Sequence, residues 1–541
     1  MTARGYAGLL LLTSIAPAAA QSAPRHATIV YAVGREPTMP IPLFTSMFTE
    51  NEDLADQIFL HLAVFKPGAQ VTGDNALAPA LAKSWHRIDP VTLVFDLDRR
   101  ARWQDGTPVT AHDVVYTWQL ANKTATDQSR LEPIAGVDAL DQWTVRVRFK
   151  RPFLEQLYTF AFLMQPLPAH LLERLAPDAI VTSDFAKHPI GNGPFRFDHR
   201  VPGQLVELRA DTSFFLGRPS IDRVIFRFVT DANTRQNLFL TGETDILDHV
   251  APASLPQIHA DAAARIVNAP SSDLVYLLFN TRAPTDTTRT HPIFSDPRVR
   301  EALTLALDRP VIARTSYGEG TPVPDAAQSQ SWAWITAGQF KPAAGNVAQA
   351  RALLAQAGWR DANGDGVLDK NGVPLHINVM YPASSAPRHT IALQVQQMWR
   401  AVGAKVELDR IEGSVIRGRV FGGQFDVWIN VAVQDPTPTS LVQSWSCQSA
   451  HHLPTTNFAG WCDSTFDRLV GVASSARDQP AAWRAVLSRM ASQHPAIFIA
   501  APSSIVAVHR RYDNVIIWPS RAWLSLWQWR VRPEAALPRD R

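Results

Sequence analysis

Cysteine is almost missing: 541 residues hold two, Cys447 and Cys462, and no CxxC pair. Long apolar runs are missing too. None reaches the roughly 20 residues of a membrane-spanning helix, which excludes a bundle of such helices. Charge of one sign is scarce, with 52 Lys and Arg against 49 Asp and Glu, a net charge of +3. The densest basic spot, Arg99, Arg100 and Arg102, is followed at once by Trp103 and Asp105, so nothing argues for a nucleic-acid partner. Internal repeats and low-complexity segments are absent beyond the N-terminus. GxSxG and HExxH are absent, which removes the nucleophile elbow and the zinc-protease helix. Scattered Asp, His and Ser residues can still assemble in space, so a secreted hydrolase stays as a remote alternative.

What is present is ordinary globular composition, 46% hydrophobic and 19% charged, at a length suited to two or three domains. The opening MTARGYAGLLLLTSIAPAAAQSAP reads as a secretory signal over 1–20. Arg4 supplies the positive end, Gly8 to Ile15 the apolar core, and Ala18 to Ala20 the small-residue cleavage site. Cleavage is expected after Ala20, and no Cys follows to carry a lipid. The mature protein is therefore expected free of a membrane anchor, in the periplasm of a double-membraned bacterium. A short N-terminal anchor is the alternative, against which the apolar run is too short. In an oxidising compartment Cys447 and Cys462 read as a disulfide closing a short polar loop; two free buried thiols are the alternative.

Helices and strands interleave throughout. TVRVRFKRPF alternates Val145, Val147 and Phe149 with Arg146, Arg148 and Lys150, a half-buried strand. TAHDVVYTWQLA opens a helix with Thr110 as N-cap and Asp113 three residues on. SDPRVREALTLALDR opens another with Asp296 as cap and Pro297 at its first position. NVAQARALLAQAGW is a helix with Asn346 and Gln349 at capping-box spacing and Gly358 at its end. DANGDGVLDKNG follows. Asp361, Asn363, Asp365, Gly366 and Asp369 fill positions 1, 3, 5, 6 and 9 of a calcium loop, but Gly372 stands where the bidentate Glu belongs. The strand LHINVMY comes next, where an EF-hand needs a helix. The stretch reads as a tight polar turn, with a weak calcium site as the alternative.

The order of these segments carries a resemblance. LAPALAKSWHRIDPVTLVFDLDRRARWQDGTPVTAHDVVYTW, then HPIGNGPFRF, DTSFFLGR and DANTRQNLFLTGETDIL, resemble the peptide/nickel group, family 5, of the solute-binding proteins of ABC importers. LVYLLFNTRAP, FSDPRVREALTLALDRPVIA, ARALLAQAGWRDANGDGVLDKNG and FAGWCDSTFDRLVGVA continue it across nearly the whole mature chain. The cysteine pair resembles one in the dipeptide-binding branch. The resemblance implies an α/β, type II periplasmic binding protein fold with two hinged lobes and an extra domain. Lobe I would be discontinuous, 21–67, 189–275 and 495–541; the extra domain would be 68–188 and the other lobe 276–494. It implies a monomer that captures a peptide or small organic solute and hands it to a permease in the inner membrane, without chemistry and without a cofactor.

The implied ligand residues lie at a strand end, where α/β lobes bind ligands. In FDVWINVAVQDPTPTS, Phe425, Val427, Ile429 and Val431 alternate with Asp426, Trp428 and Asn430, and the strand ends at Gln434 and Asp435. The family's peptide binders place an Asp here for the ligand amine. Aligning Pro438 with the family's proline puts Gln434 at that position and Asp435 one place later, so the ligand need not be an ordinary peptide. Asp435 capping the turn is the alternative. Arg388 lies within a residue or two of the Arg that dipeptide binders use for the ligand carboxylate; a solvated helix-start Arg is the alternative. Trp428, Trp445, Trp332 and Trp334 are candidates for pocket walls, or else core. Asn280 is a candidate for ligand backbone, or else a ladder or turn Asn. His451 and His452 invite a nickel reading, but neighbours on one loop rarely converge on an ion, and no metal site is assigned. A nickel complex or another non-peptide solute, and a ligand-sensing receptor, remain open.

Overall fold

The computed structural model describes residues 26–540 apart from 38–39, 45–48, 67–75, 125–130, 154, 270, 337–344, 436, 451–455, 477 and 519–520. The leader 1–20, His451 and His452 lie outside the described residues.

The chain opens with β1 (Thr28–Val33). Next, β2 (Ala82–Asp89), β3 (Thr92–Leu97), β4 (Ile134–Ala139) and β5 (Thr144–Phe149) form an antiparallel sheet ordered β2-β3-β5-β4. They are followed by β6 (Phe195–Val201), β7 (Leu205–Ala210), β8 (Arg223–Phe228), β9 (Ile246–Leu247) and β10 (Ala264–Ala269). A second sheet then builds from β11 (Asp273–Phe279), β12 (His376–Pro382), β13 (Lys405–Ile411), β14 (Val427–Val433) and β15 (Ala496–Ala500), ordered β13-β12-β14-β11-β15. Finally β16 (Ser504–His509) returns to the first sheet, which reads β10-β16-β9-β1-β8-β7-β6. This is the mixed α/β architecture of type II periplasmic binding proteins.

Residue pattern accounts for the layers. In β5, Val145, Val147 and Phe149 are buried, while Arg146 and Arg148 point outward to Asp138. β11 is apolar along its length because both faces are covered. Val275, Leu277 and Phe279 join a core with Trp359 and Trp399. Leu274, Tyr276 and Leu278 join another with Trp332, Trp445 and Trp483. The seven-stranded and four-stranded sheets share one core, reaching from Ile29 through Phe95 to Trp529.

Caps fix the helices. At α1 (Ala111–Thr124) Asp113 reaches back to the cap position: Thr110 N and Oγ1 both donate to Asp113 Oδ2 (2.7 and 3.1 Å), and Asp113 Oδ1 accepts from Ala169 N (2.9 Å). α2 (Pro297–Leu305) starts with Asp296 Oδ1 accepting from Arg298 N (3.0 Å). α3 (Val347–Gln356) starts with Asn346 Oδ1 accepting from Gln349 N (3.0 Å), and Gly358, at φ 90°, ends it. In the loop that follows, Asp361 accepts from Gly364 N and Gly366 N (2.7 and 3.0 Å), and Asp369 from Ala362 N (3.2 Å). The loop's carboxylates serve its own backbone, as a turn requires.

Two stretches join the sheets, one through 271–272 between β10 and β11 and the other 501–503 between β15 and β16. The expected segment 276–494 begins inside β11 and stops short of β15; the five-stranded sheet itself runs from Asp273 to Ala500. Both sheets point carboxyl ends at this junction. β8 and β9 run parallel to β1, and Ala269 pairs with Ser504 at the end of β10. In the second sheet β12, β13 and β14 are mutually parallel, and Val433 at the end of β14 pairs with Asp273.

Candidate functional site

The carboxyl ends of two parallel strand sets face one junction, which is where open α/β sheets receive ligands. From the second sheet β14 delivers Gln434 and Asp435. Gln434 N donates to Ser272 O (2.8 Å) and its Nε2 to Ala327 O (3.0 Å). Trp332 Nε1 donates to the Asp435 carbonyl (2.8 Å), which pins the strand end. Gln434, Asp435, Leu274, Tyr276, Ala327 and Trp445 line one recess of about 70 Å³. Burial pushes the Tyr276 phenol up to about 12, and its oxygen accepts from Asn430 Nδ2 (2.8 Å). Trp332 and Trp445 are buried, at 0% and 4% exposure; Trp445 lines the recess, and Trp332 packs in the core behind it.

Arg388 stands at the same end. It lies in the first turn of α4 (Ala386–Arg400), which follows β12 directly. Its Nε donates to Ser385 Oγ (3.2 Å), and among the described residues it makes no ion pair. Burial pulls the guanidinium below its ordinary pKa, while Tyr317 and Asp273 act the other way. Burial, then Asp273, raise the Tyr317 phenol to about 12.

Two residues not anticipated from the sequence belong to this junction. Glu155, in the turn after β5, accepts a hydrogen bond from the Thr439 hydroxyl, and Thr437 also bonds it. Burial and then the charge of Asp435 push its carboxyl group up to about 7, against these hydroxyls. His249 follows β9 at φ 48°, with its exposed ring 3.8 Å from Asp248. Asp248 first, then Asp273 and Glu50, hold its pKa above the usual range. Tyr31 donates to Asp248 (2.7 Å). A signal existed for Glu155, a lone acid in the apolar stretch PFLEQLY. The strand-end rule that selects Asp435 also selects His249, once β9 is known to be parallel to β1.

Other expected residues fall elsewhere. Asn280 follows β11 at its far end: Asp273 pairs with Val433 but Phe279 with Val427, six strand residues or roughly 20 Å apart. It is fully buried, its amide donates to Gly423 O and Phe425 O (both 2.8 Å), and its oxygen accepts from Arg282 N (3.1 Å). It is a turn Asn with no surface for a ligand. Trp428 pairs with Leu278 and Met380 near the same far end, between Phe425 and Phe458. Trp334 is half-buried against the Trp332 core. Cys447 and Cys462 form a disulfide across 15 residues.

Comparison with known proteins fits this geometry. The family model for bacterial extracellular solute-binding proteins, family 5 Middle, matches residues 76–451. The oligopeptide-binding protein AppA of Bacillus subtilis is 24% identical, over 93% of this chain and 91% of its own. The nickel-binding periplasmic protein of Escherichia coli is 27% identical, over 71% of this chain and 72% of its own. The solved structure of Bacillus subtilis AppA with a nonapeptide superposes with a TM-score of 0.83 at 22% identity, covering 94% of this chain and 100% of that one.

Proposed function

The chain belongs to family 5 of the bacterial extracellular solute-binding proteins, and from that membership we propose that it closes two lobes around a peptide or related small organic solute and presents it to an ABC permease. The family is one of solute-binding proteins, not of enzymes. One lobe would carry the seven-stranded sheet with the four-stranded sheet packed on it, and the other would be 273–500. The paired crossings, through 271–272 and 501–503, would be the hinge. The protein would act as a monomer in the periplasm, without an anchor; no helix among the described residues is long and apolar enough to cross a membrane.

The observation that carries the reading is charge placement at one sheet end. Asp435 brings a carboxylate, beside the carboxyl group of Glu155, and Arg388 brings a half-buried guanidinium without an ion-pair partner among the described residues. A ligand with an ammonium group and a carboxylate complements both. A nickel complex is less well served. Among the described residues the His and acid side chains close enough to share an ion are Asp198, His199 and Glu207, on β6 and β7, and Arg209 and Arg223 already pair with those acids.

The test is a thermal-shift screen of the mature protein against dipeptides, tripeptides, their N-acetylated and C-amidated forms, and nickel with and without histidine. At a hundredfold excess over its dissociation constant, a ligand of the folded state adds about 2.7 kcal/mol. Free peptides are expected to raise the transition and doubly blocked ones to leave it in place. A shift by nickel-histidine alone would sink the peptide reading.

A further inference from the structure

The Glu155 carboxyl group stands between parts of the chain that the hinge separates. Its neighbour Gln156 bonds Arg87 Nε (3.0 Å) and Pro90 O (2.7 Å), and Phe160 O accepts from Leu62 N (3.0 Å). Glu155 therefore moves with the four-stranded sheet and the first lobe. Thr437 and Thr439 lie just past β14 and move with the second lobe; their hydroxyls also contact each other (3.0 Å). The bond from Thr439 to Glu155 spans 284 residues of sequence.

We propose that this contact is a proton-gated latch: protonated Glu155 holds the lobes together through Thr437 and Thr439, and ionised Glu155, facing Asp435, releases them. The proposal rests on the two-lobe closure proposed above and adds a control that needs no ligand. In the closed arrangement Asp435 is the charged group that faces Glu155, and Arg87 is engaged by Gln156. Burial and Asp435 therefore favour the neutral acid there. Opening hydrates the carboxyl group and returns it toward an ordinary value of about 4.3. The closed form binds a proton that the open form releases. That contribution to closure is fully present below about 4.3 and is lost as pH rises through about 7. Between these limits the closed-to-open ratio falls by up to about tenfold per pH unit.

The experiment is energy transfer between fluorophores placed on the two lobes of the ligand-free mature protein, from pH 5 to 8.5. The wild-type distance should lengthen as pH rises. Glu155→Gln keeps the hydrogen bonds without the charge and should stay closed throughout. Thr439→Val should stay open and flat. A wild-type distance that ignores pH overturns the latch. A pH response that survives in Glu155→Gln also overturns it, and passes the switch to another group such as His249. A casein-digest peptide mixture at pH 8.5 separates the two levels. Lobes that close on peptide but ignore pH remove the latch alone; lobes that respond to neither remove two-lobe closure as well.

Discussion

A guanidinium taken out of water without a counter-charge costs folding free energy that only a later partner returns. Arg388 is in that position, half-buried with Ser385 Oγ on its Nε. Arg388→Met keeps most of the apolar contact and removes the charge. It should weaken a carboxylate ligand about 10- to 100-fold while leaving the melting temperature of the free protein unchanged or higher; calorimetric titration alongside a melt checks both. His61 and Asp56 make the opposite case, groups whose charge states serve stability. Burial holds the His61 ring below its usual pKa, aided by Arg521 and opposed by Asp56. Burial opposes the charge of Asp56, but Arg521 and His61 outweigh it and hold that carboxylate low. Both folded values are depressed, so both contributions are present at high pH and lost on acidification. The histidine share goes first, below about 6.5, and the aspartate share below about 3.9. The melting temperature should therefore fall from pH 7 to pH 5, and His61→Gln should flatten that limb.

At the level of strands and helices, much was legible before any coordinates. The caps at Asp296 and Asn346 follow from side-chain oxygens one turn ahead of an apolar stripe, a local matter. Period-2 alternation likewise identified β5, β12 and β14. What alternation does not encode is which end of a strand meets the ligand. Trp428 and Gln434 lie on one strand, and only the pairing of Val433 with Asp273 shows that Gln434 is at the junction. Asn280 was misplaced for the same reason. The Thr110–Asp113 spacing was legible as a local bond, but not that the other oxygen of Asp113 accepts from Ala169 N, a partner 56 residues away. The disulfide is a local brace of the helical region after β14. Closing a loop of this size contributes about 3 kcal/mol through the unfolded chain. Cys447→Ser with Cys462→Ser should lower the denaturation free energy by that amount and leave peptide affinity within about threefold, as urea titration and calorimetry would report.

For the whole molecule, the two ends of the described chain are clasped. Asp540, fully buried, accepts from Thr28 N (3.0 Å) and from Arg511 Nη1 (2.5 Å), and Arg511 also donates to buried Asp245 (2.8 Å). Asp540→Ala would leave a buried guanidinium and a backbone amide short of an acceptor. It should cost about 3–5 kcal/mol, and the loss should appear in the transition that unfolds the seven-stranded sheet. Nothing local in the last residues, EAALPRDR, announced this role.

The paired crossings also order the chain's assembly in time. β16 sits between β10 and β9, so the first sheet is incomplete until Ser504–His509 has been made and admitted. Everything from β11 to β15 is an uninterrupted insertion that can collapse on its own account. Its two ends then lie side by side, Val275 against Ala500. The entropy of closing a loop of more than two hundred residues is met by the insertion's own folding. Synthesis delivers β9 and β10 first, yet they must wait, edges unpaired, for β16. That waiting interval, during which β9 and β10 lack β16, is where this fold is most exposed to aggregation and to chaperones.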